Sequence, residues 1–543
     1  MSDGSIADLL AAAEPTEPVG LSRLIARLRD EDRLVGARRD GRAIGAAGLV
    51  DVLVRGVTHD SRTVRPGALF VAIAGDHTDG HEHVAEAAAA GASAAIVEHA
   101  VHDIDLPQLI VRDSRLALAG AAAWWYGDPS RDLAVVGITG TDGKTTTSFL
   151  ASAALEAAGI RTGMVGTVDT RIGGVQAPNT VHATTPDAPT LQRALRAMVA
   201  ADDSAAVLET TSHGLALGRV EAVAYDIAIL TNLTHEHLEL HGTWEAYRDA
   251  KLSLFERLDR SGRSSSVQPK ASGWPATGIV NADDPSAGAF IVVTQEAGAR
   301  VMTYGTDPAA DVRATRVEED QHRLRIAFNA PSGSAVVDLR LVGRFNVHNA
   351  LAVVALGEAA GLDPAAIRDG LSAVAAVPGR MERVELDQPF GVIIDFAHSP
   401  ASLQAVMDVL APSAASRGGG LIVLFGSAGE RDTAKRPQMG RIAAERARVV
   451  VVTDEDPRGE DRNSILEAIA RGAEGAGKRR GHDLLLIPDR RAAIEAAIDR
   501  ARPGDIVLLA GKGHERTIES AAGPQPWNER LEAEAALNRA GFG

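Results

Sequence analysis

Short apolar runs rich in valine, isoleucine and leucine recur along the chain, and alanine-rich segments with a helical spacing of apolar residues lie between them. The runs are LFVAIAG (69–75), AAIVEHA (94–100), LAVVGITG (133–140), DIAILTNLT (226–234), GVIIDFAHS (391–399), LIVLFGSAG (421–429), RVVVVTDED (448–456) and DIVLLAGKG (505–513). This alternation is typical of buried parallel strands joined by helices. The sequence therefore predicts an α/β fold.

Two breaks divide this series. Tyr126-Gly127-Asp128-Pro129-Ser130 interrupts the pattern before the strand near Leu133, and Val377-Pro378-Gly379-Arg380 interrupts it before the strand near Val392. A chain of 543 residues is too long for a single hydrophobic core. We therefore predict three domains, at residues 1–128, 129–378 and 379–543.

Two segments depart from the regular pattern. Residues 261–278 are rich in Ser, Gly and Pro and predict an exposed loop insertion in the middle block. The segment before Leu21, which includes Glu14-Pro15-Thr16-Glu17-Pro18, predicts a loosely ordered arm.

Composition narrows the classes of function. A formal net charge of −16 argues against a general affinity for nucleic acid, although a local basic pocket can still bind a phosphorylated metabolite. The absence of cysteine excludes disulfides, thiolate metal sites and cysteine nucleophiles. The N-terminus lacks a basic leader, and no long apolar run predicts a membrane span. We expect a cytoplasmic enzyme that acts on small molecules.

The clearest chemical motif is GITGTDGKTTT, residues 137–147. A predicted strand precedes it and the helical pattern SFLASAALEAAG follows, which is the context that a phosphate-binding P-loop requires. Glycines let backbone NH groups approach phosphate oxygens, Lys144 can neutralise the terminal phosphates, and the Thr145 hydroxyl can bind Mg²⁺. The alternative, a glycine turn with a chance lysine, does not account for this context.

Two polar clusters follow predicted strands of the same block, ETTSHG at 209–214 and TNLTHEH at 231–237. Ligands of open α/β sheets gather at the carboxyl ends of strands. Glu209 and His237 are therefore candidate Mg²⁺ ligands. Zinc is an alternative, because His237 and His241 are spaced i, i+4, and simple surface histidines are another.

A resemblance to a known family rests on a series of motifs between about residues 57 and 515. The motifs are THDSRTVRPGALFVAIAG, DGHEHVAEAAAAGA, GITGTDGKTTT, TTPDAPTLQ, ETTSHGL, TNLTHEHLELHGTWEAYRDAK, GRFNVHNALA, VPGRMERVE, DFAHSPASL, GSAGERDTAKRPQMG, TDEDPR and AGKGHE. In this order they resemble the Mur ligases, and among them the MurE type, the UDP-N-acetylmuramoyl-tripeptide synthetases of peptidoglycan synthesis.

The resemblance implies a three-domain architecture: an N-terminal domain for the uridine nucleotide, a central P-loop ATPase and a C-terminal Rossmann-like domain for the amino acid. It also implies a reaction. ATP phosphorylates the D-Glu γ-carboxylate of UDP-MurNAc-L-Ala-D-Glu, and the amine of a diamino acid then attacks the acyl phosphate. Small-molecule substrates, no nucleic acid, no membrane insertion and a monomer are expected.

The resemblance also assigns the ATP site. Its predicted ATP-binding residues are Gly140, Thr141, Asp142, Gly143, Lys144, Thr145, Thr146, Asn346, Asn349, Arg380 and Asp395, with Asp142 where the family usually has Asn. The implied magnesium ligands are Thr145, Glu209, His237 and Lys251, the last as a CO₂-derived carbamate. Lys144, Glu209, His237 and Lys251 are the expected catalytic residues. The alternative for Lys251 is a solvent-facing lysine on a helix.

The implied contacts to the UDP substrate lie in two parts of the chain. They are Ser61, Asp76, His77, Thr78, Thr184, Thr185, Thr211 and Arg219. Hydroxyl and NH groups suit sugar and diphosphate oxygens, and an arginine can bind a phosphate or a carboxylate with two hydrogen bonds. The chain departs from some members of the family at Ala183 and Leu217, where those members have polar residues.

The amino acid is implied to bind in the C-terminal block, at Arg431, Glu455, Asp456, Pro457, Arg458, Gly511 and Glu515. Where diaminopimelate-adding enzymes have Asp-Asn-Pro-Arg, this chain has Glu455-Asp456-Pro457-Arg458. The two retained arginines favour meso-diaminopimelate, because its second carboxylate needs a cation. Asp456 adds a negative charge that is expected to pair with Arg458, so L-lysine, ornithine or a divergent substrate are the alternatives, and a capped turn with solvated acids is another.

Other functional classes fit the motifs less well. Folylpolyglutamate and cyanophycin synthetases would share the ATPase core, but the N-terminal DSR to DGH motifs and the C-terminal AGKGHE motif argue against both. A non-catalytic P-loop scaffold or regulator is expected to have lost Lys144, Glu209, His237 or Lys251, and all four are present.

Overall fold

The computed structural model describes residues 5–75, 78–179, 183–234, 241–258, 270–320 and 322–543. The chain forms two compact units. The first comprises Met1–Thr315, Ala327–Val336 and His348–Leu371, and the second comprises Arg316–Ile326, Val337–Val347 and Ser372–Gly543.

The strands are numbered in chain order. They are β1 Val19–Gly20, β2 Leu34–Arg39, β3 Arg42–Ile44, β4 Leu53–Val54, β5 Val57–Thr58, β6 Leu69–Val71, β7 Ala94–Val97, β8 Gln108–Val111, β9 Ala134–Thr139, β10 Thr162–Val165, β11 Asp169–Ile172, β12 Val175–Pro178, β13 Ala205–Glu209, β14 Ile227–Leu230, β15 Thr277–Asn281, β16 Arg300–Gly305, β17 Val312–Glu319, β18 Leu324–Ala330, β19 Gly333–Leu339, β20 Glu382–Arg383, β21 Gly391–Asp395, β22 Leu421–Phe425, β23 Val449–Val452, β24 Leu484–Leu486, β25 Ile506–Ala510, β26 Thr517–Ser520 and β27 Gly523–Pro526.

The described α-helices are numbered in the same way. They are α1 Ile6–Ala12, α2 Ser22–Asp30, α3 Val84–Ala89, α4 Ser114–Trp125, α5 Lys144–Ala157, α6 Ala188–Ala200, α7 Ser212–Ala216, α8 Trp244–Phe255, α9 Ala287–Glu296, α10 Phe345–Ala360, α11 Pro364–Ala373, α12 Pro400–Ser416, α13 Lys435–Arg446, α14 Arg462–Gly475, α15 Arg490–Asp499 and α16 Glu529–Arg539. In the described part of the chain, none of them is long and apolar enough to cross a membrane.

The first unit contains a six-stranded sheet and most of an eleven-stranded sheet. A six-stranded sheet has the order β3-β2-β8-β7-β6-β5, in which β5 to β8 run parallel. An eleven-stranded sheet has the order β12-β11-β10-β13-β9-β14-β15-β16-β17-β18-β19. Its run from β10 to β16 is parallel, with β9 fully buried near the middle. The carboxyl ends of β9, β13 and β14 therefore lie side by side.

The second unit is built on a sheet of order β20-β21-β25-β22-β23-β24, in which β21 to β25 run parallel. Both of its faces are covered. Val450 and Val452 pack in one apolar cluster, while Val449 and Val451 pack in another. Burial on both faces explains why the sequence shows continuous apolar runs here, without polar alternation.

The structure confirms the α/β prediction. Each apolar run predicted to be a strand contains one: β6, β7, β9, β14, β21, β22, β23 and β25. The predicted helix after the P-loop is also present, but it begins at Lys144, inside the motif, because Gly143 adopts a left-handed backbone with φ 82° and turns the chain into the helix.

The prediction of a loosely ordered N-terminal arm is wrong from Ser5 onward. Helix α1 starts at a capping box in which the side chains of Ser5 and Asp8 each bond the other's backbone NH. After the helix, Ala13 is buried in the apolar cluster of the eleven-stranded sheet, which we call the central sheet. Glu14 then accepts hydrogen bonds from the Tyr126 hydroxyl at 3.0 Å and from Arg193 at 3.2 Å.

The predicted exposed insertion at 261–278 is only partly open to comparison, because residues 261–269 lie outside the described part. At its other end the prediction is wrong. Lys270 donates to the carbonyl oxygens of Ser130 and Leu133 at 2.8 and 2.7 Å and forms an ion pair with Asp226 at 2.7 Å. Thr277 begins the buried strand β15. The buried carboxylate of Asp226 needs a cation, and the segment supplies it.

Candidate active site

The P-loop residues Gly140 to Gly143 connect the carboxyl end of β9 to helix α5. Gly140 has φ 147°, and a Cβ atom there would lie 1.9 Å from the Thr231 hydroxyl oxygen. Thr141 NH donates to the Asn232 backbone oxygen at 2.8 Å, and Asp142 NH donates to the Asn232 side-chain oxygen at 2.9 Å. The loop is thus fixed against the end of the neighbouring strand β14, and only glycine fits at position 140.

Helix α5 begins at the P-loop without a side-chain cap. The first NH groups of a helix have no partner inside the helix, and its dipole favours an anion there. Lys144 Nζ lies over the same loop and donates to the carbonyl oxygens of Gly140 and Thr141 at 2.9 and 2.7 Å. Thr146 is buried in this first turn. The uncapped helix start and the lysine fit a polyphosphate.

Oxygen groups suited to Mg²⁺ lie beside this helix start. The Thr145 hydroxyl donates to Glu209 Oε2 at 3.0 Å. Glu209, the last residue of β13, is buried and also accepts hydrogen bonds from the NH and hydroxyl of Thr167 at 2.9 and 2.8 Å. Hydroxyl and carboxylate oxygens are the ligands that Mg²⁺ prefers. The site fits this ion.

Lys251 lies on helix α8 and is only 1% exposed. Its Nζ donates to the Gly140 carbonyl oxygen at 2.7 Å, the same oxygen that Lys144 contacts, and lies 4.7 Å from the centre of the Tyr247 ring. The Tyr247 hydroxyl lies 2.9 Å from the Thr141 hydroxyl. The alternative of a solvent-facing lysine is therefore wrong.

One further predicted ATP-binding residue of the first unit, Asn349, contacts the helix of the P-loop. Asn349 Oδ1 accepts a hydrogen bond from the Thr147 hydroxyl at 3.2 Å, and a Cβ at Gly143 would lie 2.5 Å from the same oxygen. Gly143 therefore serves both the turn of the chain and the close approach of Asn349.

The predicted histidine sites are only partly described. His237 lies outside the described residues. The ring of His241 lies 5.4 Å from that of Tyr247 and 5.7 Å from that of His213, and burial, then the nearby charge of Lys251, lowers the pKa of His241. Within the described ranges, no group of three or more His, Asp or Glu side chains could hold a metal ion.

Several predicted UDP-substrate residues lie next to Glu209. The Thr184 hydroxyl is 3.0 Å from that of Thr167, and the Thr185 hydroxyl is 3.0 Å from that of Thr211 and donates to the Glu209 backbone oxygen at 2.8 Å. Arg219 donates to the Thr185 backbone oxygen at 2.7 Å. These hydroxyls therefore connect the metal-site carboxylate with the residues expected to bind the substrate.

A cavity of about 320 Å³ brings Thr78 and Arg219 to one place, with Arg115 and His83 also in its wall. Leu217, one of the two departures from the family pattern, lines the same cavity. Ser61 starts a short 3₁₀ helix capped by Asp60 and is not in the lining of this cavity. Asp76 and His77 lie outside the described residues.

The remaining predicted ATP residues belong to the second unit. Asp395 ends strand β21 and accepts hydrogen bonds from the backbone NH groups of Met381 and Ala397, both at 2.8 Å. The Arg380 guanidinium stacks on the Phe396 ring at 4.8 Å. Asn346 donates to the Val342 backbone oxygen at 2.7 Å.

The segment Asp454–Arg458, predicted to bind the amino acid, follows strand β23. Its three acids are buried, with exposed fractions of 7%, 6% and 8% for Asp454, Glu455 and Asp456. Burial raises the pKa of Asp454, which nonetheless pairs with Arg462. Helix α14 is capped by Asp461, further along the chain. The alternative of a capped turn with solvated acids is therefore wrong.

Asp456 pairs with a lysine and not with Arg458, so the expected Asp456–Arg458 pair is wrong. Its Oδ1 accepts hydrogen bonds from Lys512 Nζ at 2.8 Å and from Glu519 NH at 2.9 Å. Lys512 lies in the loop after β25, and its Nζ is also 2.5 Å from Glu515 Oε2. The parallel pairing of the strands explains this choice, because β22, β23 and β25 end at the same edge of the sheet.

Of the two arginines predicted to bind a carboxylate, Arg458 is half-buried and Arg431 is exposed. Neither guanidinium has a hydrogen-bond or ion-pair partner among the residues that the structure describes. The loops that carry them are fixed to each other, since Gly429 NH donates to the Asp456 backbone oxygen at 2.8 Å. Pro457 is buried, and a Cβ at Gly429 would lie 2.1 Å from the Pro457 carbonyl oxygen.

Sequence reasoning missed three contributors to these sites. Thr167 holds Glu209, Asn232 holds the P-loop, and Lys512 holds Asp456. Each follows the end of a strand, so the position was visible in the apolar pattern. The partner of each was not visible, because it comes from a different strand of the sheet.

A glycine loop leads into a helix without a side-chain cap, a lysine lies over the loop, and a carboxylate lies at the end of the neighbouring strand. Together they define a P-loop nucleotide-binding enzyme, to which a second parallel α/β sheet is added. Comparison with known proteins then identifies the family. The chain matches the family models described as "Mur ligase family, catalytic domain" at residues 53–123, "Mur ligase middle domain" at 138–357 and "Mur ligase, glutamate ligase domain" at 379–513. The chain belongs to the Mur ligase family.

Relatives match over nearly the whole chain. A UDP-N-acetylmuramyl-tripeptide synthetase of Roseiflexus sp. is 46% identical over 90% of this chain and 96% of its own. A UDP-N-acetylmuramoyl-L-alanyl-D-glutamate–2,6-diaminopimelate ligase of Bacillus velezensis is 40% identical, with 85% and 90% covered. A solved structure of a ligase of the latter name has a TM-score of 0.62 at 30% identity and covers 91% of this chain and 97% of its own. The three-domain Mur ligase fold follows.

Proposed function

We propose that the protein is an ATP-dependent, Mg²⁺-requiring ligase of the MurE type that adds meso-diaminopimelate to UDP-MurNAc-L-Ala-D-Glu in peptidoglycan synthesis. The observation that carries the proposal is the pairing of Thr145 with Glu209 at the uncapped start of α5, with Lys144 over the loop. This is the donor set that phosphoryl transfer needs, and the motifs of the substrate and amino-acid sites accompany it.

The chemistry has two steps. In the first, an oxygen of the D-Glu γ-carboxylate attacks the γ-phosphorus of ATP, the bond to the β-phosphate oxygen breaks, and ADP leaves. In the second, the amine nitrogen attacks the acyl carbon, the bond to the phosphate oxygen breaks, inorganic phosphate leaves and the amine loses a proton. A carboxylate alone is unreactive toward amines at neutral pH, so the phosphorylation supplies the leaving group.

The residues of the first unit have separate roles in the first step. Lys144 offsets the charge of the terminal phosphates, and the NH groups at the start of α5 hold their oxygens. Thr145 and Glu209 hold Mg²⁺, which when bound neutralises charge on the transferring phosphoryl group. Arg219 and the hydroxyls of Thr184 and Thr185 orient the UDP substrate beside Glu209.

Lys251 is proposed to carry a CO₂-derived carbamate. Carbamylation forms a bond between Nζ and the carbon of CO₂, and the ammonium group gives up two protons in total, one before the attack and one after it. The cation thus becomes an anion with two oxygens. Two lysine side chains donate to the single carbonyl oxygen of Gly140, an arrangement that places like charges close together. Conversion of one of them into an anion removes this repulsion and supplies oxygen ligands for a second Mg²⁺.

The carbamate predicts that enzyme depleted of CO₂ loses most of its activity and regains it when bicarbonate is added. The Lys251→Ala variant is expected to lose at least about 100-fold in kcat/KM and to show no response to bicarbonate. Carbon-13 NMR of the wild type in labelled bicarbonate should show a carbamate signal that the variant lacks. Equal activity with and without CO₂ would contradict the carbamate and leave the ligase proposal intact.

The choice of meso-diaminopimelate rests on the two arginines of the second unit. The second carboxylate of this amino acid needs a cation, and the Arg458 and Arg431 guanidinium groups are not paired with any described residue. The carboxylate of Glu455 is buried and that of Glu515 is partly exposed. Both can face the ammonium group of the bound diaminopimelate. L-lysine and ornithine lack the second carboxylate and would leave these arginines without a ligand.

The acyl phosphate gives the sharpest test of this function. Enzyme, ATP, Mg²⁺, UDP-MurNAc-L-Ala-D-Glu and hydroxylamine, without an amino acid, are expected to yield ADP and the γ-hydroxamate of the substrate. Omission of the UDP substrate should abolish both products, and so should Lys144→Met. ADP release that does not require the UDP substrate would identify a nucleotide hydrolase and contradict the proposal.

A further inference from the structure

We propose that Lys512 is a positioning residue for amino-acid selection: its ammonium neutralises Asp456, and this leaves the Arg458 guanidinium available for the second carboxylate of the incoming amino acid. The inference rests on the proposed function and adds a residue to it. Lys512 lies in the AGKGHE motif, between Gly511 and Glu515, and nothing in the sequence pattern connects it to Asp456.

The contacts of Lys512 place it at the centre of a small group of acids. Its side chain is fully buried, with 0% exposed. Nζ donates to Asp456 Oδ1 at 2.8 Å and lies 2.5 Å from Glu515 Oε2. Lys512 is thus the shared partner of two carboxylates that come from the ends of two different strands.

Charge explains why this position needs a lysine. Glu455 and Asp456 lie in the loop after β23, and Glu515 lies in the loop after β25. Glu455 Oε2 is buried and has no hydrogen bond among the described residues. An uncompensated buried carboxylate is costly, so each acid draws any nearby cation toward it. Arg458 is the cation closest to Asp456 along the chain. Without Lys512, Asp456 would therefore pair with Arg458.

The protonation state supports this role. Burial lowers the pKa of Lys512, but the carboxylates of Glu515 and Asp456 outweigh burial and raise it overall. Lys512 therefore carries its charge at neutral pH. Burial raises the pKa of Glu515 in the same cluster, and the charges of Asp456 and Glu455 add to this effect, while Lys512 opposes it.

Backbone contacts explain how the pairing orients Arg458. The Asp456 oxygen that accepts from Lys512 also accepts from Glu519 NH at 2.9 Å, and Arg458 NH donates to the Glu519 carbonyl oxygen at 3.0 Å. The loop is therefore fastened to strand β26 on both sides of Pro457. Arg458 has a left-handed backbone with φ 52°, a conformation that such contacts are needed to hold.

A double-mutant cycle tests the proposal. The variants are Lys512→Met, Asp456→Asn and the combination of both, each compared with wild type. The quantity measured is the ratio of kcat/KM for meso-diaminopimelate to that for L-lysine, at saturating ATP and UDP substrate. Lys478→Met is the matched control, because Lys478 is a partly buried lysine that donates to the carbonyl oxygen of Ala447, before the opposite end of β23.

Lys512→Met is expected to lower the selectivity ratio about tenfold or more, because Asp456 then pairs with Arg458, and to leave the KM for ATP within about twofold. The double variant is expected to recover a ratio within about threefold of wild type, because the Asp456→Asn change removes the charge that Lys512 neutralises. A ratio that stays low in the double variant, or an unchanged ratio in Lys512→Met, would overturn the proposal.

Asp456→Asn alone decides the matter if Lys512→Met does not fold. An Asp456 that is already neutralised predicts a selectivity ratio within about threefold of wild type for this variant. An increase of about tenfold or more in favour of meso-diaminopimelate would mean that Asp456 competes for Arg458 in the native enzyme, against the proposal. If the wild type ligates no diamino acid, the proposed function itself is refuted. This result is distinct from an unchanged or an increased selectivity ratio in Asp456→Asn.

Discussion

Asp203 shows at the scale of one residue how burial alone sets a charge state. Its side chain is fully buried just before strand β13, where Oδ2 accepts a hydrogen bond from Gly173 NH at 2.8 Å and Arg161 lies 3.5 Å from Oδ1. Burial raises its pKa to about 6, and the hydrogen bond from Gly173 and the charge of Arg161 offset only part of this effect. The folded state therefore holds this proton more tightly than the unfolded chain does.

The raised pKa of Asp203 predicts a pH dependence of stability. A carboxyl group whose pKa rises from its ordinary 3.8 to about 6 adds stability below pH 4, and the gain is lost as the pH rises through 6. The contribution of Asp203 to the free energy of unfolding should fall by up to about 3 kcal/mol across this window, and Asp203→Asn should remove this contribution from the wild-type pH dependence. Urea unfolding of both proteins at pH 4, 5, 6 and 7 measures it.

Asp202→Asn provides the matched control for this prediction, because Asp202 is the exposed neighbour and has a left-handed backbone that asparagine also adopts. Its pH dependence should equal that of wild type. An Asp203→Asn variant with the wild-type slope between pH 4 and 6 would show that the carboxyl group is ionised throughout.

The limits of sequence reasoning at this scale are clearest at Asp456 and Lys251. The carboxylate at position 456 was visible, and the sequence pointed to Arg458 as a partner for its charge, while the sheet brings Lys512 to it from 56 positions away. The burial of Lys251 likewise depends on where helix α8 packs against the P-loop, which no local pattern records.

At the scale of elements, Arg490 links three parts of the second unit. It is 1% exposed on helix α15 and pairs at 2.6 Å with Glu529, a fully buried residue at the start of α16. It also donates to the backbone oxygens of Asp454 and Ala510, both at 2.9 Å. These two oxygens lie at the carboxyl ends of β23 and β25, so the same guanidinium supports both loops that are proposed to bind the amino acid.

Removal of this cation should therefore affect both stability and substrate binding. Arg490→Met is expected to lower the free energy of unfolding of the second unit by about 3 to 5 kcal/mol, because it leaves the Glu529 carboxylate buried without its partner. It should also raise the KM for the amino acid, since the carbonyl ends of both strands lose a donor. Urea denaturation and steady-state kinetics provide the two measurements.

The neighbouring Arg491 is the matched control. It makes an equivalent ion pair at 2.6 Å with Glu532 on the same two helices, but its side chain is 59% exposed. Arg491→Met should cost at most about 1 kcal/mol and leave the KM for the amino acid unchanged, because solvent screens an exposed pair. Equal losses in the two variants would mean that burial does not govern the strength of these pairs.

Elements were the part of the fold that the sequence predicted best. Apolar runs such as those of β9 and β25 are buried on both faces and so have a pattern that is hard to mistake. The errors fell on segments whose order depends on distant partners. The segment after Lys270 is held by Asp226, and the segment before Leu21 is held by Tyr126 and Arg193, while composition alone favoured loops in both places.

At the scale of the whole molecule, the N-terminal helix qualifies the predicted division of the chain. Helix α1 opens the predicted first domain, yet Ile6, Leu9 and Leu10 pack against the apolar cluster of the central sheet. The boundaries at 128 and 378, the monomeric state and the cytoplasmic location stay predictions. Light scattering of the purified protein tests the monomer, and limited proteolysis tests the boundaries.

The reaction that the whole molecule performs can be measured in a single assay. Purified protein with ATP, Mg²⁺ and UDP-MurNAc-L-Ala-D-Glu is given meso-diaminopimelate, L-lysine or L-ornithine in parallel, and the tripeptide product and released phosphate are measured. We expect equal amounts of product and phosphate with meso-diaminopimelate, at a kcat/KM at least about tenfold above that for the other two amino acids. Higher kcat/KM with L-lysine or L-ornithine, or no product with any of the three, would contradict this expectation.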